Sequence, residues 1–282
     1  MPRPLRLDFP GAHFHITARG VARRTIFIDR SDRRCFLKIL QTAGERHGGI
    51  CHAYCLMGNH YHLLLESTAG RLSSLMQHLN GSYGRWFNRR RDRCGHLFQG
   101  RFKASLVDEG AYFLEVVRYV ELNPCRAELV SHPVEWEWSS FRPRMGLVAT
   151  PPPLSVERAL EPFGSGYGAR SRYERFILEG LSKETIAPQL RRETIIGSPQ
   201  FVKTHAERAR EMAGRQRVPR AQSFADRPTL TDLVGASHVD RRSRAIEAVL
   251  QHGYSMSAVA RQLGVHYTTV SRWVRTRECD SS

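Results

Sequence analysis

The residues with the clearest chemical potential are His60 and His62, which close the stretch Cys51-His-Ala-Tyr-Cys-Leu-Met-Gly-Asn-His-Tyr-His-Leu-Leu-Leu-Glu66. Alternate residues of a strand share a face, so the two imidazoles point one way and Tyr61 the other. Held roughly 6 to 7 Å apart on a rigid strand, they can ligate one divalent metal. They would serve equally as ordinary polar residues at a strand end, so the pair needs a third ligand and a nucleophile. Both are on offer in the helical stretch that carries Tyr112, Glu115, Tyr119 and Asn123. Tyr119 and Asn123 are four apart and share a helix face. The Asn123 carboxamide oxygen can complete a site begun by the two histidines, with the Tyr119 hydroxyl one turn away beside a bound phosphate. A phenol titrates at about 10, so it attacks only when a metal polarises the phosphate and its proton has an acceptor. A plain amphipathic helix would carry a Tyr as well.

The elements around these residues are legible. Cys51 to Met57 and His60 to Glu66 read as two strands joined by the turn Gly58-Asn59. His13 to Arg19 alternates apolar and polar residues as a strand does, and it holds a second His-x-His, His13 and His15. Asp29, Ser31 or Asp32 can cap a helix running to about His47, where Gly48-Gly49 ends it. Leu72, Leu75, Met76, Leu79, Tyr83, Trp86 and Phe87 keep a helical period to about Asn88. Arg101 to Val107 is a fourth strand. Asp108 can cap a helix from Glu109 to about Leu122, which Pro124 stops. The order β-α-β-β-α-β-α predicts an α+β, ferredoxin-like domain over residues 1–145, with a mixed or antiparallel sheet and its helices on one side.

Beyond Pro143 to Pro153, which reads as a boundary, residues 150–214 form a helical middle segment. Residues 215–242 are a basic linker broken by Pro219 and Pro228. In residues 243–278 the apolar positions describe three short helices. Ala260, four residues before Gly264, allows the close crossing of a helix-turn-helix. Its second helix would offer Tyr267, Thr268, Ser271, Arg272 and Arg275 to a major groove.

A net charge of +16, with 43 basic residues of which only four are Lys, points to a polyanionic partner, most simply nucleic acid. Arg suits bidentate phosphate contacts, although a GC-rich coding bias would give the same excess. Arg89, Arg90 and Arg91, with Arg101, Lys103 and Arg118, are the candidate phosphate contacts of the first domain. The run at 89–91 is equally a solvated helix end. The six cysteines are scattered, without spacing for a disulfide framework or a zinc finger. No apolar run reaches transmembrane length and the N-terminus lacks a signal-peptide core, so a soluble cytoplasmic protein with no membrane partner is expected, nucleoid-associated if bacterial.

Several motifs together resemble the REP-associated tyrosine transposases, a branch of the single-tyrosine HUH transposases. They are Pro10-Gly-Ala-His-Phe-His-Ile-Thr-Ala-Arg-Gly20, His52 to Glu66, Gly95-His-Leu-Phe-Gln-Gly-Arg-Phe-Lys103, Arg118-Tyr-Val-Glu-Leu-Asn-Pro-Cys-Arg-Ala127 and Trp136-Glu-Trp-Ser-Ser-Phe141. The resemblance implies a ferredoxin-like nuclease that cleaves single-stranded DNA next to a hairpin, as monomer or homodimer. It maps the HUH pair onto His60 and His62, the nucleophile onto Tyr119 and a third metal ligand onto Asn123. It implies Mg²⁺ or Mn²⁺ as cofactor and a 5′-phosphotyrosine intermediate, with duplex contact from the C-terminal module. A non-catalytic hairpin-binding regulator derived from such an enzyme is the alternative, and a water-using nuclease a third.

Overall fold

The computed structural model describes residues 7–110, 112–182, 186–215, 229–234, 240–250, 252 and 254–279. Residues 8–202 form one compact unit, and residues 203–282 with 1–7 form another.

The first unit is built on β1 (Ala12–Arg19), β2 (Gly49–Leu56), β3 (His60–Ser67), β4 (Lys103–Val107) and β5 (Ile195–Ile196), in the order β2-β3-β1-β4-β5. β3 lies antiparallel between β1 and β2, and β4 runs antiparallel to β1. β1 and β2 are therefore parallel with β3 inserted between them, which is the ferredoxin-like arrangement expected. β3 can be central because it is apolar on both faces, with Tyr61, Leu63 and Leu65 on one and Leu64 on the other, all buried.

Helices α1 (Arg30–His47) and α2 (Leu72–Arg90) cover the Tyr61 face. Phe36 of α1 packs on Tyr61, whose hydroxyl donates to Asn80 Oδ1 of α2 at 2.7 Å. Asp29 starts α1 through a capping box with Asp32, and Gly48 ends it at φ 73°.

α3 (Phe113–Glu121) lies on the opposite face, where Val116, Val117 and Val120 pack on Ala53, Cys55, Leu64 and Val107. The helices thus flank the sheet on both sides rather than one, because the Leu64 face also needs cover. α3 also starts later than the sequence suggests. The Asp108 side chain accepts from Gly110 N and from Ser198 N and Oγ, so it closes a turn and does not cap a helix at Glu109.

After the short α4 (Asn123–Arg126) and α5 (Phe141–Arg144), the proline stretch stays inside this unit and pairs along β2, with Cys51 N donating to Pro153 O and Ser155 N to Cys51 O. Helices α6 (Glu157–Leu160), α7 (Tyr167–Glu179) and α8 (Ala187–Arg192) follow, then α9 (Pro199–Arg215), which from residue 203 belongs to the second unit. The middle segment is not wholly helical: Ile195 and Ile196, β-branched, pair parallel with the edge of β4. One buried cluster joins this segment to α3. Glu121 and Arg144, both fully buried, form an ion pair at 3.2 Å, and Glu121 also accepts from Tyr173 and Ser140, each at 2.6 Å.

The second unit contains α10 (Leu230–Val234), α11 (Arg241–Leu250), α12 (Met256–Leu263) and α13 (Tyr267–Cys279). Ser255 caps α12, and Gly264 ends it in the left-handed region at φ 66° with Val265 N bonded to Ala260 O. Ala260 is buried with Val249, Val259, Val270 and Val274, as the close crossing of a helix-turn-helix requires. α10 falls within the stretch read as linker, yet Val234 joins this core. Residues 216–228 of that stretch lie outside the described residues. Among the described residues, no helix is long and apolar enough to cross a membrane.

Candidate metal and nucleophile site

His60 and His62 share the α3 face of β3, with ring centroids 5.1 Å apart. Each ring has its Nδ1 engaged. His60 Nδ1 lies 2.6 Å from Asn59 Oδ1, and Asn59 is oriented by its own amide, which donates to Arg23 O. Since Asn59 Oδ1 only accepts, His60 must donate from Nδ1, which leaves the Nε2 lone pair for a metal. His62 Nδ1 meets His15 Nε2 at 3.0 Å. Outer partners of this kind fix tautomer and ring orientation in metal sites. Burial, reinforced by Arg19, lowers the His60 pKa to about 4, and burial lowers that of His15 to about 3. Both rings are therefore neutral near pH 7, the state in which imidazole ligates. The donors fit a divalent ion.

Tyr119 stands edge-on to both His62 and His15, each at 5.6 Å between centroids. The Arg126 guanidinium lies over its ring at 5.5 Å. Asn123 Nδ2 donates to Tyr119 O at 2.7 Å, so of its two amide atoms the oxygen is the one left to accept or ligate. Three of the four residues singled out in the sequence, His60, His62 and Tyr119, are thus brought together by ring contacts, and Asn123 is tied to Tyr119 through the backbone. Tyr61 is fully buried on the other face, and Tyr112 precedes the first turn of α3. His15, noted in the sequence only as half of a second His-x-His, is the residue to which the sequence assigns no role at this site. Its signal was the second His-x-His, whose strand lies beside β3 with His15 opposite Leu64.

The basic residues divide. Arg89, Arg101 and Lys103 are exposed. Arg90 and Arg91, read as phosphate contacts, instead bind the Asp29 and Asp32 carboxylates at 2.6 to 3.0 Å and clamp the end of α2 to the start of α1. Arg118 is buried, paired with Glu115 and stacked on Phe176 at 4.4 Å, so it packs α3 against α7 and is withdrawn as a DNA contact. On α13, Tyr267, Thr268 and Arg272 are exposed and Ser271 is half-buried, while the Arg275 side chain lies outside the described residues.

Residues 9–123 match the model of the IS200-like transposases, and residues 239–280 match that of a homeodomain-like domain. No curated protein matches the chain. Among solved structures, the chain is similar to a REP-associated tyrosine transposase bound to a REP hairpin. The identity is 15%, over 60% of this chain and 96% of that one, with a TM-score of 0.45. A structure from Deinococcus radiodurans, provisionally described as a transposase, is 16% identical over 45% of this chain and 92% of its own, with a TM-score of 0.31. Residues 9–123 are thus similar to the IS200-like transposases, which supports a transposase-like DNA-processing function.

Proposed function

We propose that the protein is a metal-dependent endonuclease and strand transferase of the REP-associated tyrosine type, which cleaves single-stranded DNA beside a hairpin. The observation that supports this most directly is the edge-on contact of Tyr119 with His62, a nucleophile beside a ligand. Mg²⁺ or Mn²⁺, held by His60, His62 and the Asn123 oxygen, would supply Lewis-acid polarisation of the scissile phosphate. The chain's own residues do the rest. The Tyr119 oxygen forms a bond to phosphorus, the bond from phosphorus to the upstream O3′ breaks, and that oxygen leaves as a 3′-hydroxyl. The proton that Tyr119 gives up ends, directly or through water, on the leaving O3′, and the Arg126 charge over the ring favours negative charge building on the phenol as it attacks. The 5′-phosphotyrosine keeps the energy of the diester, so attack by another 3′-hydroxyl rejoins strands without ATP.

Removing the ion with EDTA, or either His60→Ala or His62→Ala, is expected to abolish cleavage of a labelled hairpin-bearing single strand while gel-shift binding is largely retained. Undiminished cleavage in excess EDTA would contradict the reading, whereas binding without cleavage under every condition would favour a non-catalytic regulator.

Four segments complete the proposal: a nuclease domain over 1–145, a mostly helical segment over 150–214 whose residues up to 202 share its compact unit, a linker, and a duplex-reading module at the C-terminus. Arg89, Arg101 and Lys103 would hold the single strand. Tyr267, Thr268, Ser271 and Arg272 would face the duplex. Because α10 belongs to the C-terminal core, a truncation should end near Arg215 and not within it. The shortened chain should still cleave, and its duplex affinity should fall with a shallower dependence on salt, since fewer phosphates are neutralised. Duplex binding measured by fluorescence anisotropy that is unchanged by the truncation would remove the module from DNA recognition.

A further inference from the structure

We propose that His13, His52 and Glu66 form a second divalent-metal site, of the zinc class, at the other end of the sheet face that carries His60 and His62. Glu66 is four residues beyond His62, about 13 Å along the strand, so the two sites are separate. The inference does not depend on the cleavage reaction.

The local backbone is built to gather these three side chains. His13 lies opposite Glu66 in the β1–β3 ladder. On β2, Cys51 pairs with Leu65 and Ala53 with Leu64, so His52 is the extra residue of a β-bulge. A bulge re-aims a side chain, and here it turns His52 onto the face of Glu66. His52 Nε2 lies 3.0 Å from Glu66 Oε2, and His13 Nε2 lies 3.6 Å from the same oxygen. The three candidate ligand atoms all fall within 4.8 Å of one another. Both imidazoles are only 2% exposed and stack at 5.3 Å, with Phe113 edge-on to each.

His13 Nε2 is buried, aimed at Glu66, and has no hydrogen-bond partner. Such an atom is costly to leave unsatisfied, and an ion between it and Glu66 would satisfy it. Burial lowers the His13 pKa to about 4 and that of His52 to about 3, which keeps both neutral as ligands must be. Two imidazoles, one carboxylate and an open position make a familiar zinc donor set. Glu109 Oε2 stands 3.7 Å from His13 Nδ1, beyond hydrogen-bonding distance, and adds negative charge beside the site without ligating it. Arg158 is the competing cation: it pairs with Glu109 and comes within 4.0 Å of Glu66 Oε2. Being half-buried, it can stay on Glu109 while an ion takes Glu66.

The test uses the full chain with His60→Ala and His62→Ala, so that the first site cannot hold an ion. After chelation and equilibrium dialysis against Zn²⁺, one ion per chain is expected. Co²⁺ should give visible d–d absorption that Zn²⁺ displaces. Adding His52→Ala, which removes a ligand, should weaken binding at least about 100-fold, the upper end of what loss of a ligand's outer partner costs. Glu66→Gln, which keeps the shape of the side chain, guards against misfolding and should also abolish the cobalt spectrum with unchanged far-UV circular dichroism. A folded background protein that retains no ion overturns the proposal and leaves Arg158 as the counter-charge. Retention of the ion in both the His52 and Glu66 variants overturns it equally.

Discussion

Tyr119→Phe should reduce strand cleavage at least about a thousand-fold, because nucleophile replacement in covalent catalysis removes the whole attacking group. Hairpin binding should stay within about twofold. The substitution removes one oxygen and keeps the ring contacts with His15 and His62. Tyr112→Phe is the control: Tyr112 precedes α3 and should retain most activity. Single-turnover cleavage of an end-labelled strand, alongside anisotropy binding, measures both. Loss of activity in Tyr112→Phe with Tyr119→Phe active would reverse the assignment.

Glu121→Ala should lower stability by about 3 to 5 kcal/mol, the usual consequence of stranding one member of a buried ion pair. Arg144 would lose its only carboxylate among the described residues while fully buried, and Tyr173 and Ser140 would lose their acceptor. For a unit of this size that corresponds to a fall in Tm of about 6 to 20 °C. Tyr173→Phe should cost less, about 1 to 3 kcal/mol, because it removes one hydrogen bond and no charge. Calorimetry of the two variants checks the order. An unaltered Tm in Glu121→Ala would mean that the middle segment is not held to α3 through this cluster.

What the sequence revealed follows from how local each signal is. The hairpin around Gly58-Asn59, the Asp29 cap and the Gly264 turn are encoded within a few residues, and all three stand in the structure. The pairing of His60 with His62 needed only the period of a strand. Features made by distant partners stayed hidden. Arg90 and Arg91 look like a phosphate-binding run until Asp29 and Asp32, some sixty residues earlier, are placed beside them. Arg118 looks exposed by helical period until Phe176 covers it. β5 could not be read because two residues carry no period, and its existence depends on the vacant edge of β4. The roles of His15 and of the bulged His52 stayed hidden for the same reason: their neighbours belong to other strands.

The central claim is that Tyr119 becomes joined to the 5′-phosphate side of the cleaved strand. The most direct measurement traps the adduct on single-stranded DNA labelled in turn on each side of the cut, digests the protein and maps the modified peptide by mass spectrometry. The account predicts that only the 5′-phosphate-side label is retained, on a peptide containing Tyr119. Retention of the 3′-side label, an adduct on Tyr112, or efficient cleavage with no adduct would contradict it.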